Sequence, residues 1–416
     1  MSKGIMFLSI MDFTDKGIQV VKFTPEYFVS QGWDVHYVVT RDNSRHGSYH
    51  YQDVINPPGV RVHRSAMPSH WLGERLRRHV FKNIYAKLRG YAAIVKLAWL
   101  AGRVLKEHHI DVMYGGGPHG ALATKLVTLF HPGAKLRTVS RFYGVWDLYS
   151  STLLDRRWVK LLLNLDIFLS LYLRSDLKIV TNDGTQGNKA VGAIRPSNLA
   201  ALRFYVNGID PYSLEPGRVD ALRSSLTEPG DFCAVCLTRL VPLKRVDLCI
   251  EVSAAVIKKF GLPNYKLIVV GDGAERDRLT RLARELGIER NILFVGAVNN
   301  QDVKYYLEFP DVFLSTYAVS NVGNPLLEAI RAHKIIFTLN NGDTASWIRH
   351  RDNGFIYQDE AGLVDKMARD IVELARAPEL RAKIKVNIQT TASEKLWTWN
   401  QRMDAEFVEI NALLTD

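Results

Sequence analysis

The sequence contains few cysteines. Three occur among 416 residues, too few for a disulfide framework, so the chain is expected in a reducing cytoplasm. Cys233 and Cys236 form a CxxC pair, which would suit a redox or zinc site, but no second pair accompanies it. The pair lies in a stretch typical of a strand, where residues three apart point to opposite faces. We therefore interpret these cysteines as buried thiols.

Long hydrophobic runs are also absent. No uninterrupted apolar run reaches the roughly 18–20 residues of a membrane-spanning helix. The nearest, WVKLLLNLDIFLSLYL at 158–173, is broken by Lys160, Asn164 and Asp166. The first residues, MSKGIMFLSIMDF, become polar too early for a signal peptide. These features predict a soluble cytoplasmic chain, or one that is peripheral on the inner face of the cell membrane.

Acidic residues are scarce in one region. The formal net charge is +11, and residues 61–110 hold eleven Lys and Arg against two Glu. Three interpretations remain open: a solvated helix face, attraction to an anionic membrane or lipid-linked acceptor, and nucleic-acid binding. Aromatic residues are few here and no nucleic-acid module is recognisable, so a nucleic-acid partner is not expected.

Several nucleotide and catalytic motifs are missing. No GxGxxG is present, which counts against a nicotinamide or flavin enzyme, and no GxxxxGK[ST] is present, which counts against a P-loop nucleotidase. No carboxylate pair can be identified. A retaining hydrolase would need two acids about 5 Å apart, so hydrolysis is disfavoured.

The pattern that is present alternates short apolar strands with helices, which predicts parallel sheets covered on both faces. The predicted strands are IMFLSI, VHYVVT, DVMYGGG, KLRTVSR and DLKIV, then FCAVCLTR, YKLIVVGDG, NILFVG, DVFLSTY and KIIFTL. Turn-forming residues interrupt the alternation around 207–230. We therefore predict two α/β domains, 1–208 and 209–385, facing each other across a cleft, with a terminal helix over 386–416.

Candidate ligand-binding residues follow the predicted strands of the second half. Arg239 ends one strand and Lys244 opens the next helix, a pair of cations that suits a diphosphate, although surface charges at a loop would look the same. Gly271 and Gly273 form a Gly-Asp-Gly turn after the next strand. Near the amino terminus, Gly17 stands at the start of a predicted helix, where backbone amides favour an anion.

The stretch YAVSNVGNPLLEAI, residues 317–330, predicts an elbow between a strand and a helix. Gly323 and Pro325 stand at the junction, and Glu328 is the acid within the helix. The elbow would bring bare N–H groups towards a ligand at the helix start. Glu328 is flanked by apolar residues, which favours a site role, while a solvent-facing helix charge is the alternative.

At these residues the chain resembles the family 4 GT-B glycosyltransferases. The segments TRLVPLK, IVVGDGAERDRL, LFVGAV, DVFLSTY and GNPLLEAI follow that family's donor domain in order, and GGPHGALATKL is similar to its first-domain glycine/histidine segment. YVNGIDP is similar to the family's domain junction. LWTW is similar to the start of its last helix, which packs back on the first domain.

The resemblance implies two Rossmann-like domains and a retaining transfer of a sugar from a nucleotide diphosphate sugar, without cofactor or metal. The donor base, UDP or GDP, stays undecided, and a saccharide or lipid-linked saccharide is the expected acceptor. Arg239 and Lys244 would hold the diphosphate and stabilise the charge of the leaving group. The other implied donor contacts are Gly271 and Gly273 at the nucleotide, the backbone near Val298 at the base, Glu328 at the ribose, and the amides near Val322, Gly323 and Asn324 at the sugar and phosphates.

Two departures from the family pattern concern the sugar. Ser320 stands where relatives usually have a glutamate that touches the donor sugar, and Ser320 and Asn321 could still offer neutral hydrogen bonds. Where many relatives have a histidine, this chain has Arg141 and Tyr143 near the sugar or acceptor side. His119 is the nearest candidate for a catalytic histidine, and a histidine packed at a helix start is its alternative.

Two other functions stay open. A sugar-nucleotide epimerase can be built on two domains of this type, but it would need extra acid or base side chains. A catalytically weak or non-catalytic nucleotide-sugar-binding relative is the other, and Ser320 is the reason to consider it.

Overall fold

The computed structural model describes residues 2–13, 19–41, 55–67, 79–145, 148–153 and 155–415. The chain divides into two compact units. Unit 1 comprises residues 1–182, 186–207 and 399–416, and unit 2 comprises residues 183–185 and 208–398.

Unit 1 is built on a parallel sheet of seven strands with the order β3-β2-β1-β4-β5-β6-β7. The strands are β1 (Gly4–Ser9), β2 (Asp34–Arg41), β3 (Val60–Ala66), β4 (Val112–Gly116), β5 (Arg137–Phe142), β6 (Leu177–Thr181) and β7 (Leu202–Tyr205). Numbered along the chain, its helices are α1 (Gln19–Ser30), α2 (His79–Glu107), α3 (Gly117–Phe130), α4 (Trp158–Leu163), α5 (Leu165–Tyr172), α6 (Gly187–Ile194) and α14 (Trp399–Ala412). The central strands β1 and β4 are buried along their whole length, as expected for a sheet covered on both faces.

Unit 2 repeats this plan with six parallel strands in the order β10-β9-β8-β11-β12-β13. They are β8 (Phe232–Leu237), β9 (Tyr265–Val270), β10 (Ile292–Gly296), β11 (Val312–Ser315), β12 (Ile335–Leu339) and β13 (Phe355–Tyr357). The helices are α7 (Arg218–Leu226), α8 (Val246–Ala254), α9 (Arg276–Glu285), α10 (Val303–Glu308), α11 (Asn324–Arg331), α12 (Leu363–Arg376) and α13 (Pro378–Lys395). The strand order reverses between β8 and β11, and ligands of such sheets bind at the carboxyl ends of the strands at this point.

The predicted fold class, two Rossmann-like α/β domains, is confirmed. Each of the ten apolar runs forms a strand of one of the two sheets. The three cysteines are free and buried, which confirms their interpretation as buried thiols. Among the described residues, no helix is long and apolar enough to cross a membrane.

Two features differ from the sequence-based expectation. Strands β3, β7 and β13 were not predicted; each lies at the edge of a sheet, and β3 and β7 lack the continuous burial that marks a central strand. The helix expected over 386–416 is two helices, because the chain turns extended at Leu396 before α14 begins at Trp399. Only the second of these, α14, belongs to unit 1.

Candidate active site

A solvent-open cavity of about 320 Å³ lies at the carboxyl edge of the unit 2 sheet. Its lining comes from the residues that follow β8, β9 and β10 and from the first turns of α11. The residues are Leu237, Thr238, Arg239, Val270, Gly271, Asp272, Ala297, Val298, Asn300, Val303, Asn324, Pro325 and Glu328. The structure thus brings together five predicted site residues from four separate segments: Arg239, Gly271, Val298, Asn324 and Glu328.

The floor of this cavity depends on two glycines. Gly271 has φ +137°, and a Cβ at this position would lie 1.8 Å from the carbonyl oxygen of Thr238. A Cβ on Gly273 would lie 2.3 Å from the carbonyl oxygen of Leu240. The turns after β8 and β9 approach each other so closely that no side chain fits at either glycine. The amide of Leu240 donates to the Asp272 carbonyl at 2.9 Å and fixes this arrangement.

Two cations stand at the turn after β8. Arg239 is exposed at the cavity, and no hydrogen bond or ion pair joins its guanidinium to the rest of the described chain. Lys244 ends the 3₁₀ turn Pro242–Lys244, outside the cavity lining. Burial and the nearby Arg239 lower the pKa of Lys244 to about 8. Two like charges at one turn favour a bound anion, because an anion reduces their repulsion.

Glu328 is one of two acids that line the cavity, the other being Asp272. It lies on α11, half-buried, and among the described residues no group donates a hydrogen bond to it. Burial raises its pKa to about 7. A half-buried carboxylate with open acceptor positions can receive hydrogen bonds from a pair of ligand hydroxyls. This contradicts the alternative of a solvent-facing helix charge.

The elbow before α11 is held from inside by Asn321. Its side chain is fully buried, and its Oδ1 accepts hydrogen bonds from the Ser315 hydroxyl at 2.8 Å and the Tyr317 amide at 2.9 Å. Its Nδ2 donates to Asn341 Oδ1 at 2.8 Å. Asn321 therefore positions the elbow, and its side chain does not face the cavity.

Ser320 is buried next to Asn321. Its hydroxyl accepts the amide of Val322 at 3.2 Å, so this amide already has a partner. A Cβ on Gly342 would lie 2.6 Å from the Ser320 hydroxyl, which shows how closely the backbone encloses this side chain. Gly323 has an extended backbone, and α11 begins at Asn324, where the first helical amides point away from the helix. Of the predicted elbow contacts, Asn324 lines the cavity and Val322 is buried.

His119 lies in unit 1, on the first turn of α3. Its Nε2 packs against α2, where a Cβ on Gly90 would be only 2.8 Å away. Burial lowers the pKa of His119. This environment is that of a packed histidine, so the structure adds no support to a catalytic role, which stays a prediction.

Arg141 and Tyr143 lie at the end of β5 in unit 1. Arg141 is fully buried, with its guanidinium carbon 5.5 Å from the centre of the Tyr143 ring. Direct contact with an acceptor would require Arg141 to leave this packing. Tyr143 is half-buried beside Gly116. Their role near the sugar stays a prediction, and Gly17 lies outside the described residues.

Tyr317 is a site residue that sequence reasoning did not select. It is buried, its hydroxyl donates to the Leu237 carbonyl at 3.1 Å, and its ring lies beneath the Lys244 ammonium. The sequence could have indicated Tyr317 by its position directly after β11, at the same sheet edge as Arg239. Thr238 and Asp272 line the cavity for the same reason.

Comparison with known proteins gives the family context. Residues 219–391 match the family described as glycosyl transferases group 1. The GDP-mannose-dependent alpha-(1-6)-phosphatidylinositol monomannoside mannosyltransferase of Mycobacterium tuberculosis is 24% identical over 281 residues, 65% of this chain and 68% of that protein. Anabaena Alr3699/HepE in complex with UDP superposes with a TM-score of 0.71 at 16% identity, over 99% of this chain and 100% of that chain. WaaG, a glycosyltransferase involved in lipopolysaccharide biosynthesis, superposes with a TM-score of 0.68 at 16% identity, over 96% and 99%.

Proposed function

We propose that the protein transfers a hexosyl group from a nucleotide diphosphate sugar, because residues 219–391 match the family described as glycosyl transferases group 1 and the fold is similar to that of Anabaena Alr3699/HepE. The acceptor is a hydroxyl of a saccharide or a lipid-linked saccharide. The product belongs to a cell-surface polysaccharide or glycoconjugate, in keeping with the names of the similar mannosyltransferase and of WaaG.

The observation that carries this proposal is the pairing of Arg239 and Glu328 in one cavity. Among the described residues, neither the guanidinium of Arg239 nor the carboxylate of Glu328 has a hydrogen-bond or ion-pair partner. The first is a cation that donates hydrogen bonds, and the second is an acid that accepts them. Arg239 suits a phosphate as a two-pronged donor, and Glu328 suits vicinal hydroxyls as an acceptor. A nucleoside diphosphate offers both groups on one molecule.

In this proposal the residues act on the leaving group. Arg239 and Lys244 stabilise the negative charge that grows on the diphosphate as the bond to the sugar breaks, and a site that already holds this charge pattern lowers the barrier. Glu328 accepts hydrogen bonds from the ribose hydroxyls and so fixes the nucleotide. The backbone near Val298 contacts the base.

The stereochemistry and the absence of a metal requirement are also part of the proposal. Transfer occurs with retention on one face of the sugar, and the departing phosphate accepts the proton of the incoming hydroxyl. The cations Arg239 and Lys244 do the electrostatic work that a metal would do elsewhere. The protein is proposed to act in the cytoplasm and at the inner face of the membrane, where the basic segment 61–110 meets anionic lipid.

Calorimetric titration with UDP, GDP and ADP tests the donor site directly. We expect one nucleoside diphosphate to bind in preference, and Arg239→Ala and Glu328→Gln each to weaken its binding. Arg284→Ala and Glu285→Gln, both at exposed positions near the end of α9, are the matched controls. Unchanged binding by both site variants would contradict the proposal.

A nucleotide-sugar-binding protein without transferase activity is the second candidate, and the buried Ser320 favours it. Incubation of the preferred nucleotide sugar with candidate acceptors separates the two functions. Release of the nucleoside diphosphate that depends on the acceptor supports transfer. An epimer formed without acceptor would instead indicate an epimerase.

A further inference from the structure

Helix α2 of unit 1 exposes a stripe of large apolar side chains. Ile84, Leu88, Val95 and Trp99 are all exposed, with 61% of Trp99 accessible. At 100° per residue, these four positions fall within about 60° of one another on the helix surface. The stripe extends for about 22 Å, at 1.5 Å per residue. It lies opposite Ala93, Leu97 and Ala101, which face the core.

A second apolar element lies on α4, within the interrupted run at 158–173. Trp158, Val159, Leu162 and Leu163 are all exposed, with 71% of Trp158 and 73% of Val159 accessible. None of the residues of α4 is buried. This short helix thus presents its apolar side chains to solvent.

An ion pair connects α2 to α5, the helix that directly follows α4. Lys87 of α2 donates to Asp166 of α5 at 2.8 Å, and Asp166 is almost fully buried. Leu88 follows Lys87 directly, and α5 follows α4 after one residue, Asn164. The pair therefore connects α2, at the residue before Leu88, to α5, the helix that follows α4. We call the two elements together the exposed apolar patch.

Both elements of this patch carry more basic than acidic residues. The sequence of α2 contains six Lys and Arg against a single Glu. Arg156 and Arg157 precede α4, Lys160 lies within it, and Asp155 forms an ion pair with Arg157. The Arg103 guanidinium lies 5.2 Å from the Trp99 ring centre, at the far end of the stripe. An apolar strip with a cationic border is the pattern of an interfacial membrane helix.

We propose that the exposed apolar patch inserts into the interface of an anionic phospholipid bilayer. The charges select this occupant: lipid head groups of negative charge complement the basic border, whereas a second copy of the same patch would bring like charges together. The proposal adds apolar insertion, with α4 as a second contact, to the electrostatic attraction of the basic segment. It does not depend on the transferase activity, because membrane binding needs neither donor nor acceptor.

Flotation of the full chain with vesicles tests the proposal. Vesicles of phosphatidylcholine and phosphatidylglycerol at 70:30 should carry the protein, and vesicles of phosphatidylcholine alone should carry much less. Binding should weaken but persist at high salt, because insertion of apolar side chains is not screened. Lipids brominated in their acyl chains should quench part of the tryptophan fluorescence.

Two double variants separate the elements of the patch. Leu88→Ser with Trp99→Ser alters α2, and Trp158→Ser with Leu162→Ser alters α4. Each should weaken binding to the anionic vesicles by about tenfold or more, because each removes two side chains that the bilayer would bury. Val408→Ser is the matched control, since it removes an exposed apolar side chain from α14, outside the patch. The thermal midpoint of each variant checks its fold, and the single variants Trp99→Ser and Trp158→Ser replace any double variant that fails.

Three results would overturn the proposal. One is equal binding to neutral and anionic vesicles. Another is binding by both double variants at the level of the native chain, which would mean that basic residues alone attract the lipid. The third is a native chain that ignores vesicles but sediments as a dimer that the patch variants dissociate. Titrating the same variants with the nucleotide tests the donor site independently. A failure of the membrane proposal can therefore be distinguished from a failure of the proposed donor site.

Discussion

The ammonium of Lys244 lies 3.5 Å from the centre of the Tyr317 ring. The ring is itself fixed, because its hydroxyl donates to the carbonyl of Leu237 at the end of β8. The turn that carries Lys244 and the elbow that leads to Glu328 thus meet at a buried aromatic residue, beside hydrogen bonds from Thr316 and Ala318 to the same turn. A cation over an aromatic face is stabilised with little water around it, so Lys244 is held ready for an anion.

Replacing Lys244 by alanine should weaken binding of the preferred nucleotide sugar by about ten- to a hundredfold, because a hydrogen bond to a charged group contributes about 1.5–3 kcal/mol. Titration calorimetry measures the change. Lys258→Ala, at an exposed position, is the control. Retention of native affinity and turnover by Lys244→Ala would remove Lys244 from the diphosphate site.

The position of Lys244 should depend on Tyr317. Tyr317→Leu removes both the ring beneath the ammonium and the hydrogen bond to Leu237, so the turn and the elbow lose their common support. We expect weaker nucleotide-sugar binding and a lower melting temperature. Tyr317→Phe keeps the ring and should retain most of the affinity. Equal affinity in the leucine variant would show that the ring does not position the cation.

Binding of the nucleotide sugar should be strongest between about pH 7 and pH 8. Glu328, with its pKa raised to about 7 by burial, must be deprotonated to accept ribose hydroxyls, so affinity falls below this pH. Lys244, with its pKa lowered to about 8 chiefly by burial, must be protonated to bind phosphate, so affinity falls above it. Below and above this range, the affinity for the nucleotide sugar should fall by up to about tenfold per pH unit.

Two variants assign the limbs of this pH profile. Glu328→Gln should bind more weakly and lose the acidic limb, while Lys244→Arg should lose the alkaline limb. A nucleotide sugar is the correct probe because its diphosphate has no free terminal phosphate to titrate near neutrality. A flat profile for the native chain, or one that both variants leave unchanged, would contradict these protonation requirements.

The sequence predicts the central strands of both sheets because a continuous apolar run such as FCAVC or KLIVV admits few other structures. Arg239, Gly271 and Glu328 could also be placed, since residues that follow parallel strands meet at one sheet edge. Asn321 could not be placed, because an amide serves a ligand or a buried turn equally well. The pairing of Lys244 with Tyr317 depends on two segments far apart in sequence, and only packing brings them together.

A histidine cluster in unit 1 should make stability depend on pH. His36 of β2 is fully buried, with its Nδ1 3.0 Å from His63 Nε2 and its ring centre 4.3 Å from that of His108. Asp34 and Arg61, 3.2 Å apart, and Glu107 are charged groups next to this cluster. Burial lowers the pKa of His36 to about 4, against the attraction of Asp34, from an ordinary value of 6.5.

The sign of the effect follows from proton binding. Between about pH 6.5 and pH 4 the unfolded chain binds a proton at His36 that the folded chain does not, so stability falls as the pH falls. The loss from this group is of the order of 3 kcal/mol when complete. His36→Gln should be less stable at pH 7 and should lose stability less steeply on acidification. Melting temperatures across this range measure both, with His350→Gln, an exposed residue of unit 2, as the control.

The last prediction concerns a buried ion pair within α14 that is hydrogen-bonded to the sheet of unit 1. Arg402 Nη1 lies 2.7 Å from Glu406 Oε2, both residues are fully buried, and the hydroxyl of Tyr114 in β4 donates to Glu406 Oε1 at 2.5 Å. Glu406→Gln leaves the Arg402 charge buried without its partner, so it should lower stability by about 3–5 kcal/mol. Tyr114→Phe removes one hydrogen bond from this carboxylate, a smaller loss of about 1–3 kcal/mol.

A double variant separates the two parts of this cost. Arg402→Met with Glu406→Leu removes both charges and fills the space with apolar groups, and it costs only the hydrogen bond from Tyr114 and the attraction of Glu406 for Arg141, so it should be less destabilising than Glu406→Gln alone. Denaturation followed by tryptophan fluorescence measures the difference, since Trp399 begins the same helix. If the double variant were less stable than the native chain by as much as Glu406→Gln, the attraction between Arg402 and Glu406 would exceed the cost of burying them, and the pair would itself stabilise α14.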